Sequence, residues 1–287
     1  MAGAAGDPYG PVSLEGADPM PRSPTITRRL AIAMTLTAFA LAACSSTGDG
    51  DGKTYVLVHG AWMGAAGWEP VADHLRDEEA EVLTPELPAH GDDPTDPAEA
   101  TLAAYVETVA AAIDDAGGPV ILVGHSMGGI VISATAEARS DDIARLVYVA
   151  AYVPRSGESL FDLAMTDGDS DIGGNLVDHE DGTLGIQPDA FPDLFCADCD
   201  ADARATLVAG YRPEPAAPLA TPVELTGGAF GALPRTYVST AHDRVISPDL
   251  QSRMTTTTPM DRELTLETSH VPMLAAPDAL AELLLDE

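Results

Sequence analysis

The sequence predicts an α/β fold with a mostly parallel sheet and helices on both faces. Apolar, β-branched strand patterns alternate with amphipathic helical patterns from residue 54 onwards, and such alternation is typical of parallel sheets. A glycine-rich pentapeptide with a central serine stands between one of these strands and the next helix. The chain has 287 residues, of which 45% are hydrophobic, so it can bury the core of one large α/β domain.

Each element is predicted from its local pattern. Strands are expected where apolar residues run continuously or alternate, at 54–59, 81–87, 119–123, 144–153, 235–240 and 263–268. Helices are expected at 68–76, 98–115, 129–136, 248–254 and 277–285. The alternation stops between about 154 and 234, where the chain is rich in Asp, Gly and Pro and has only short helical pieces.

The pentapeptide Gly-His-Ser-Met-Gly at residues 124–128 is the most specific motif of the chain. Between a strand and a helix, G-x-S-x-G predicts a nucleophile elbow, a sharp turn that strains the backbone of its serine. Gly124 and Gly128 are needed because side chains there would collide with the neighbouring strand and helix. The turn would hold the Ser126 hydroxyl at a helix N-terminus, where N–H groups favour negative charge, and His125 is expected to pack locally.

A serine hydroxyl becomes a good nucleophile only when a base accepts its proton and a carboxylate orients that base. The partners of an elbow serine follow it in the chain order Ser, Asp, His, each in a loop after a later strand. Asp243 and His270 each stand directly after a predicted strand, so we predict them as the acid and the base. Asp249 is the alternative acid, although Pro248 predicts a helix start that would carry it away. Four further histidines have a weaker context for this role: His74, His125, His179 and His242.

Acyl transfer also needs hydrogen-bond donors aimed at the oxyanion that develops on the substrate. One predicted donor is the backbone N–H of Met127, the residue after the nucleophile. The other is expected in the loop after the first strand, where the N–H of Ala61 is the best candidate. Trp62 and Trp68 either line the adjoining pocket or pack in the core, and the sequence leaves both interpretations open.

Five motifs resemble one branch of the α/β-hydrolases, that of the plant methylesterases and hydroxynitrile lyases with their bacterial relatives. They are residues 56–62 (VLVHGAW), 67–68 (GW), the elbow at 124–128, 243–248 (DRVISP) and 269–274 (SHVPML). The resemblance covers most of residues 54–285 and implies an α/β-hydrolase domain over residues 54–287. It also implies that residues 154–234 form a lid, inserted after the strand that follows the elbow.

Two positions depart from the lyase pattern. Lyases of this branch that use the triad carry a lysine next to the histidine and a threonine in the first oxyanion loop, whereas this chain has Val271 and Ala61. Without the lysine no cation would stabilise a departing cyanide, so the resemblance favours a serine hydrolase of small carboxylic esters. It implies no cofactor and no metal. Two alternatives remain open: a slowly catalytic or non-catalytic small-molecule receptor on the same fold, and a hydrolase of C–C or C–N bonds.

The N-terminal region predicts export. An arginine pair and an apolar run from 30 to 43 describe a secretory signal over residues 20–43, and the apolar run is itself too short to span a membrane as a helix. The signal ends in the letters LAAC, which resemble the lipobox of bacterial lipoproteins and imply that Cys44 receives a diacylglyceryl group. Residues 44–53 are expected to form a flexible tether. Residues 1–19 fit no part of this signal, and Met20 is the expected start; free secretion is the alternative to a membrane anchor.

Charge excludes one class of partner. The formal net charge is −32 at pH 7, from 46 acidic and 14 basic residues. Such a surface repels polyanions, so we expect no nucleic-acid partner. The expected partners are a small ester substrate and, through Cys44, a membrane, while the oligomeric state is left open.

Two further features lie in the predicted lid. Cys196 and Cys199 are expected to form a local disulfide in an exported chain, with two free thiols as the alternative. The acidic residues of 167–171 imitate the start of a calcium loop. However, Ile172 stands where such a loop needs glycine, so a solvated loop is predicted.

Overall fold

Strands and helices alternate in the N-terminal half of the computed structural model, which describes residues 52–287. The elements in order are β1 (Thr54–Val58), α1 (Glu69–Asp77), β2 (Glu81–Leu83), α2 (Leu102–Ala116), β3 (Val120–His125), α3 (Gly128–Arg139) and β4 (Ile143–Val149). Each strand but the last is therefore followed by a helix that returns the chain to start another parallel strand.

The lid (residues 154–234) consists of short elements. They are α4 (Leu160–Ala164), β5 (Leu176–Asp178), β6 (Thr183–Ile186), α5 (Phe191–Phe195), α6 (Ala201–Ala209), β7 (Glu214–Pro215) and α7 (Ala216–Ala220). The strands β5, β6 and β7 form a small antiparallel sheet, in which Leu184 pairs with Glu214. Beyond the lid come β8 (Arg235–Thr240), α8 (Pro248–Thr257), β9 (Arg262–Leu266), α9 (Pro272–Ala275) and α10 (Pro277–Leu285).

The main sheet has six strands in the order β2-β1-β3-β4-β8-β9, and every neighbouring pair is parallel. The helices pack in pairs, α1 against α10 and α2 against α3. All residues of β3 are buried, as expected of a central strand that is covered on both faces. The predicted parallel sheet with flanking helices is thus confirmed.

The three largest differences from the predicted element boundaries have local reasons. α2 begins at Leu102 rather than 98, because the Thr101 side chain accepts a hydrogen bond from the Ala104 N–H and caps the helix there. β2 ends at Leu83 instead of 87, since Pro85 has no N–H to continue the ladder. β4 ends at Val149, because Ala150 turns the chain with a φ of 44°.

The N-terminal predictions fall outside this description. The upstream segment 1–19, the signal peptide 20–43 and the lipidation site Cys44 all lie outside the described residues, as does nearly all of the tether. Within residues 52–287, no helix is both long enough and apolar enough to cross a membrane.

Candidate active site

Ser126 lies in a strained turn between β3 and α3. Its φ is 53°, a left-handed conformation that non-glycine residues rarely adopt. The surrounding backbone stabilises this conformation, because the Ser126 N–H donates to the Val149 carbonyl at 3.3 Å and its own carbonyl accepts from the Tyr152 N–H at 3.1 Å. Only 3% of the residue is exposed. The turn therefore places the hydroxyl at the carboxyl edge of the sheet, beside the first turn of α3.

Close backbone packing explains the two glycines of the pentapeptide. A Cβ added at Gly124 would lie 2.6 Å from the Gly128 carbonyl oxygen, at the start of α3. A Cβ added at Gly128 would lie 2.8 Å from the Val58 carbonyl oxygen, at the end of β1. Both distances are shorter than van der Waals contact, so either side chain would push the helix away from the sheet.

Ser126, His270 and Asp243 form one hydrogen-bonded chain, although they stand far apart in the sequence. The His270 Nε2 lies 3.0 Å from the Ser126 Oγ, and its Nδ1 lies 2.8 Å from the Asp243 Oδ2. Asp243 and His270 follow β8 and β9, whose carboxyl ends lie at the same edge of the sheet as that of β3. All three side chains are buried.

The Asp243 carboxylate is fixed by its own loop. Its Oδ1 accepts from the Val245 N–H at 2.8 Å and from the Ile246 N–H at 2.9 Å. Its Oδ2 accepts from the Thr240 hydroxyl at 2.8 Å as well as facing His270. One carboxylate oxygen is thereby committed to the loop backbone, and the other is aimed at the imidazole.

The alternative acid and the other histidines of the sequence have different partners. Asp249 is in the first turn of α8, where its side chain is 63% exposed and pairs with Arg253 at 2.8 Å. His242 faces Glu267 at the surface. His125 is fully buried; its Nε2 lies 2.9 Å from the His270 carbonyl oxygen, and burial holds its pKa well below the usual value. A neutral His125 supports the loop that carries His270 through packing and a backbone hydrogen bond.

The lid contacts the loop of His270 from the other side. Cys196 and Cys199 are joined by a disulfide, the first of the two alternatives left by the sequence. Next to it, the Phe195 ring meets the His270 ring edge-on at 5.2 Å, and the Phe195 carbonyl accepts from the Val271 N–H at 3.2 Å. The lid therefore helps to hold His270 in place.

An apolar cavity of about 490 Å³ opens at Ser126 between the sheet edge and the lid. Most of its lining side chains are apolar, with Trp62, Tyr152, Leu160, Phe161, Met165 and Leu219 among them. Ala61 and Met127 also line it. Neither of their N–H groups donates to an acceptor within residues 52–287. Two unpartnered N–H groups on a cavity beside a serine hydroxyl are suited to binding an oxyanion.

The two tryptophans have different surroundings. Trp62 lines the cavity, whereas Trp68 is fully buried against His125 in the core. In the acidic stretch of the lid, Asp167 accepts from the Ser247 N–H at 2.8 Å, and Asp171 pairs with Arg244 at 2.8 Å. These acidic side chains thus bind neighbouring loops of the protein.

Sequence reasoning missed a second buried polar cluster, which contacts Trp62 in the loop after β1. Its centre is Glu214 of β7, which is fully buried and lies 2.7 Å from the Nε2 of His90. Burial lowers the pKa of His90, but the charge and hydrogen bond of Glu214 outweigh it, so that this pKa is raised overall. The only sequence signal was an acidic residue set between prolines in RPEP at 212–215, which does not indicate a partner.

Comparison with known proteins finds relatives of this chain. Residues 55–283 match the family model described as the alpha/beta hydrolase family. The chain is 27% identical over 248 residues to a chloroplastic protein of Arabidopsis thaliana named methylesterase 14, across 82% of this chain and 71% of that protein. It is also 27% identical over 244 residues to the pyrethroid hydrolase of Sphingobium wenxiniae, across 80% and 86%.

Solved structures share the fold. Polyneuridine aldehyde esterase superposes with a TM-score of 0.74 at 22% identity, across 82% of this chain and 98% of that one. At this level of identity the superposition shows the fold alone.

Proposed function

The chain belongs to the alpha/beta hydrolase family and is a carboxylesterase-type hydrolase, and we propose that it cleaves small carboxylic esters with Ser126 as nucleophile. In this proposal His270 is the general base, Asp243 orients it, and the N–H groups of Ala61 and Met127 bind the oxyanion. The observation that carries the proposal is the hydrogen-bonded chain from Asp243 through His270 to Ser126, whose hydroxyl opens on an apolar cavity.

The first half-reaction transfers the acyl group to the enzyme. The Ser126 Oγ attacks the ester carbonyl carbon while its proton passes to the His270 Nε2, 3.0 Å away. The carbonyl oxygen becomes an oxyanion between the two N–H groups, and Asp243 stabilises the imidazolium that forms. The carbon–oxygen bond to the alcohol then breaks, and the Nε2 proton goes to the leaving alkoxide.

The second half-reaction returns the enzyme to its starting state. A water molecule loses a proton to the His270 Nε2 and attacks the acyl carbon of the Ser126 ester. The same oxyanion donors act again, and collapse of the intermediate releases the carboxylic acid as the Ser126 Oγ recovers its proton from His270.

The surroundings of His270 favour ester cleavage over cyanohydrin cleavage. Val271 is fully buried and apolar, and no cationic side chain of residues 52–287 lines the cavity. A departing cyanide would therefore develop its charge without a cation nearby. An ester requires only the nucleophile, the base and the oxyanion donors.

A substrate panel tests the reaction type. We expect hydrolysis of p-nitrophenyl and methyl esters of graded acyl length, and no useful release of cyanide from mandelonitrile in the same buffer. Cyanide release faster than ester hydrolysis would contradict the esterase proposal. A burst of one product equivalent with negligible turnover would support the receptor alternative, and inactivity on every substrate would also count against the esterase.

We further propose that the protein is exported and held on the extracytoplasmic face of a membrane by a lipid on Cys44. The support is the sequence pattern of residues 20–44, with its arginine pair, apolar run and terminal LAAC. Lipid chains contribute about 0.8 kcal/mol per buried CH₂, so a diacylglyceryl group should anchor the protein firmly.

Cys44→Ala tests this anchor. The wild-type protein is expected in the membrane fraction of the producing cells, and the variant is expected to lose that association because it has no lipid. The measurement is the distribution of protein between membrane pellet and soluble fractions. A variant that still sediments with membranes would mean that an uncleaved apolar segment is the anchor.

A further inference from the structure

Trp62 is the residue that joins the proposed oxyanion loop to the lid. Its φ is 59°, so the peptide directly after Ala61 is held in a left-handed turn. Every polar group of this residue bonds to the lid. The Trp62 N–H donates to Glu214 Oε2 at 3.2 Å, the indole N–H donates to the Leu184 carbonyl at 2.7 Å, and the Trp62 carbonyl accepts from the Arg212 N–H at 3.3 Å.

The acceptors come from one place in the lid. Leu184 and Glu214 are opposite each other in the β6–β7 ladder, so the backbone and side-chain N–H groups of Trp62 bind a single register pair. A strained residue keeps such a conformation only when its surroundings hold it there. The lid therefore determines the orientation of the Ala61–Trp62 peptide, although both residues belong to the loop after β1.

Burying the Glu214 carboxylate costs desolvation free energy. It is fully buried, and its partners besides Trp62 are His90 at 2.7 Å and the Tyr105 hydroxyl at 3.5 Å. A buried ion pair is often no more stabilising than apolar residues of the same volume. Stability alone thus does not explain a carboxylate here, whereas an acceptor for the Trp62 N–H does.

We infer that Glu214 is a positioning residue of the oxyanion hole. It fixes the Ala61–Trp62 peptide, which restrains the Ala61 backbone and so the Ala61 N–H, one peptide plane earlier, that is to face the developing oxyanion. This inference rests on the proposed esterase function. It makes the lid a part of the catalytic apparatus as well as a wall of the cavity. Glu214 acts through Trp62 and Ala61 and does not touch the substrate, since it is absent from the cavity lining.

Loss of the Glu214 acceptor should weaken binding of the transition state and leave binding of the substrate nearly unchanged. When the acceptor is lost, the Ala61 N–H is no longer held in register with the oxyanion, while the Trp62 indole keeps its hydrogen bond to the Leu184 carbonyl and its place in the cavity lining. Loss of a whole oxyanion donor costs about 10²- to 10³-fold in turnover. A donor that is present but misaimed should cost less, about 10- to 100-fold in kcat with little change in KM.

The test compares three variants on a p-nitrophenyl ester. Reactive serine is first titrated to completion with an organophosphonate, and kcat is calculated per mole of titrated serine. Glu214→Leu combined with His90→Leu removes the acceptor without leaving a buried charge, so the protein should stay folded and kcat should fall about 10- to 100-fold. Glu214→Gln keeps an acceptor oxygen and should restore most of the activity. Leu207→Ala truncates a buried side chain of the lid that is not part of the cavity lining, so it should lower stability and leave kcat per titrated serine unchanged.

A trifluoromethyl ketone gives the second readout, because attack by the Ser126 Oγ on its carbonyl forms a hemiketal oxyanion. Its affinity should fall in the double variant by the same factor as kcat/KM, while affinity for the product alcohol should stay constant. If the double variant keeps wild-type kcat and ketone affinity, Glu214 is merely structural and the inference is overturned. A wild-type enzyme without ester turnover would instead refute the proposed function, so the two failures are distinguishable.

Discussion

Replacing Ser126 with alanine is expected to lower turnover of a p-nitrophenyl ester by about 10⁴- to 10⁶-fold while the protein remains folded. The variant loses the Oγ that lies 3.0 Å from the His270 Nε2, and with it the acyl-enzyme route. The residual rate should come from the oxyanion donors and the bound substrate alone. Steady-state kinetics and thermal unfolding of the same preparation measure the two expectations.

Ser133→Ala is the matched control for this experiment. Ser133 is a buried serine of α3, the helix that follows Ser126. Its hydroxyl bonds to the Gly129 carbonyl at 2.6 Å and is not part of the cavity lining. Its loss should reduce stability by about 1 kcal/mol and leave turnover near that of the wild type. If Ser126→Ala kept more than about a tenth of the wild-type rate, the nucleophile would have to lie outside the elbow.

Asp243→Asn is expected to lower kcat by about 10⁴-fold with the geometry of the site intact. The amide oxygen can still accept from the Val245 and Ile246 N–H groups, which turns the amide NH₂ towards the His270 Nδ1. Facing a donor, Nδ1 must be the unprotonated nitrogen, so the neutral ring carries its proton on Nε2. That tautomer cannot accept the proton of Ser126.

Binding and turnover should therefore separate in this variant. The inhibition constant of a neutral product alcohol should stay close to that of the wild type, while kcat falls. Asp249→Asn is the control, because Asp249 is exposed and pairs with Arg253 in α8. If Asp249→Asn were the crippling change and Asp243→Asn were nearly neutral, the proposed acid would be wrong.

Local patterns predicted the fold because they reflect local physical constraints. The continuous apolar run before the elbow becomes a fully buried strand, since a parallel sheet covered on both faces has no polar side. The order Ser126, Asp243, His270 could be read from the strands that precede these residues, because all those strands end at one edge of the sheet. Boundaries were less predictable, as at α2, where the cap at Thr101 outweighs the helical pattern that begins at 98.

The lid shows what local patterns could not provide. Its residues repeat no period, so the sequence left open whether Cys196 and Cys199 are bonded or are free thiols. It also left open whether Trp62 and Trp68, in the segment after β1, line the pocket or pack in the core. The tertiary structure buries Trp68 in the core, points Trp62 into the cavity and joins Cys196 to Cys199. Each outcome depends on which distant surface the segment packs against.

The parallel sheet, the elbow and the three residues that follow strand ends could be predicted from the sequence, because each depends on neighbours within a few positions. The bonds of Glu214 to His90 and to the Trp62 N–H join residues more than a hundred positions apart, so they follow from the folded structure alone. A buried carboxylate is stable only beside hydrogen-bond or charge partners, and the residues next to Glu214 in the sequence do not indicate which these are.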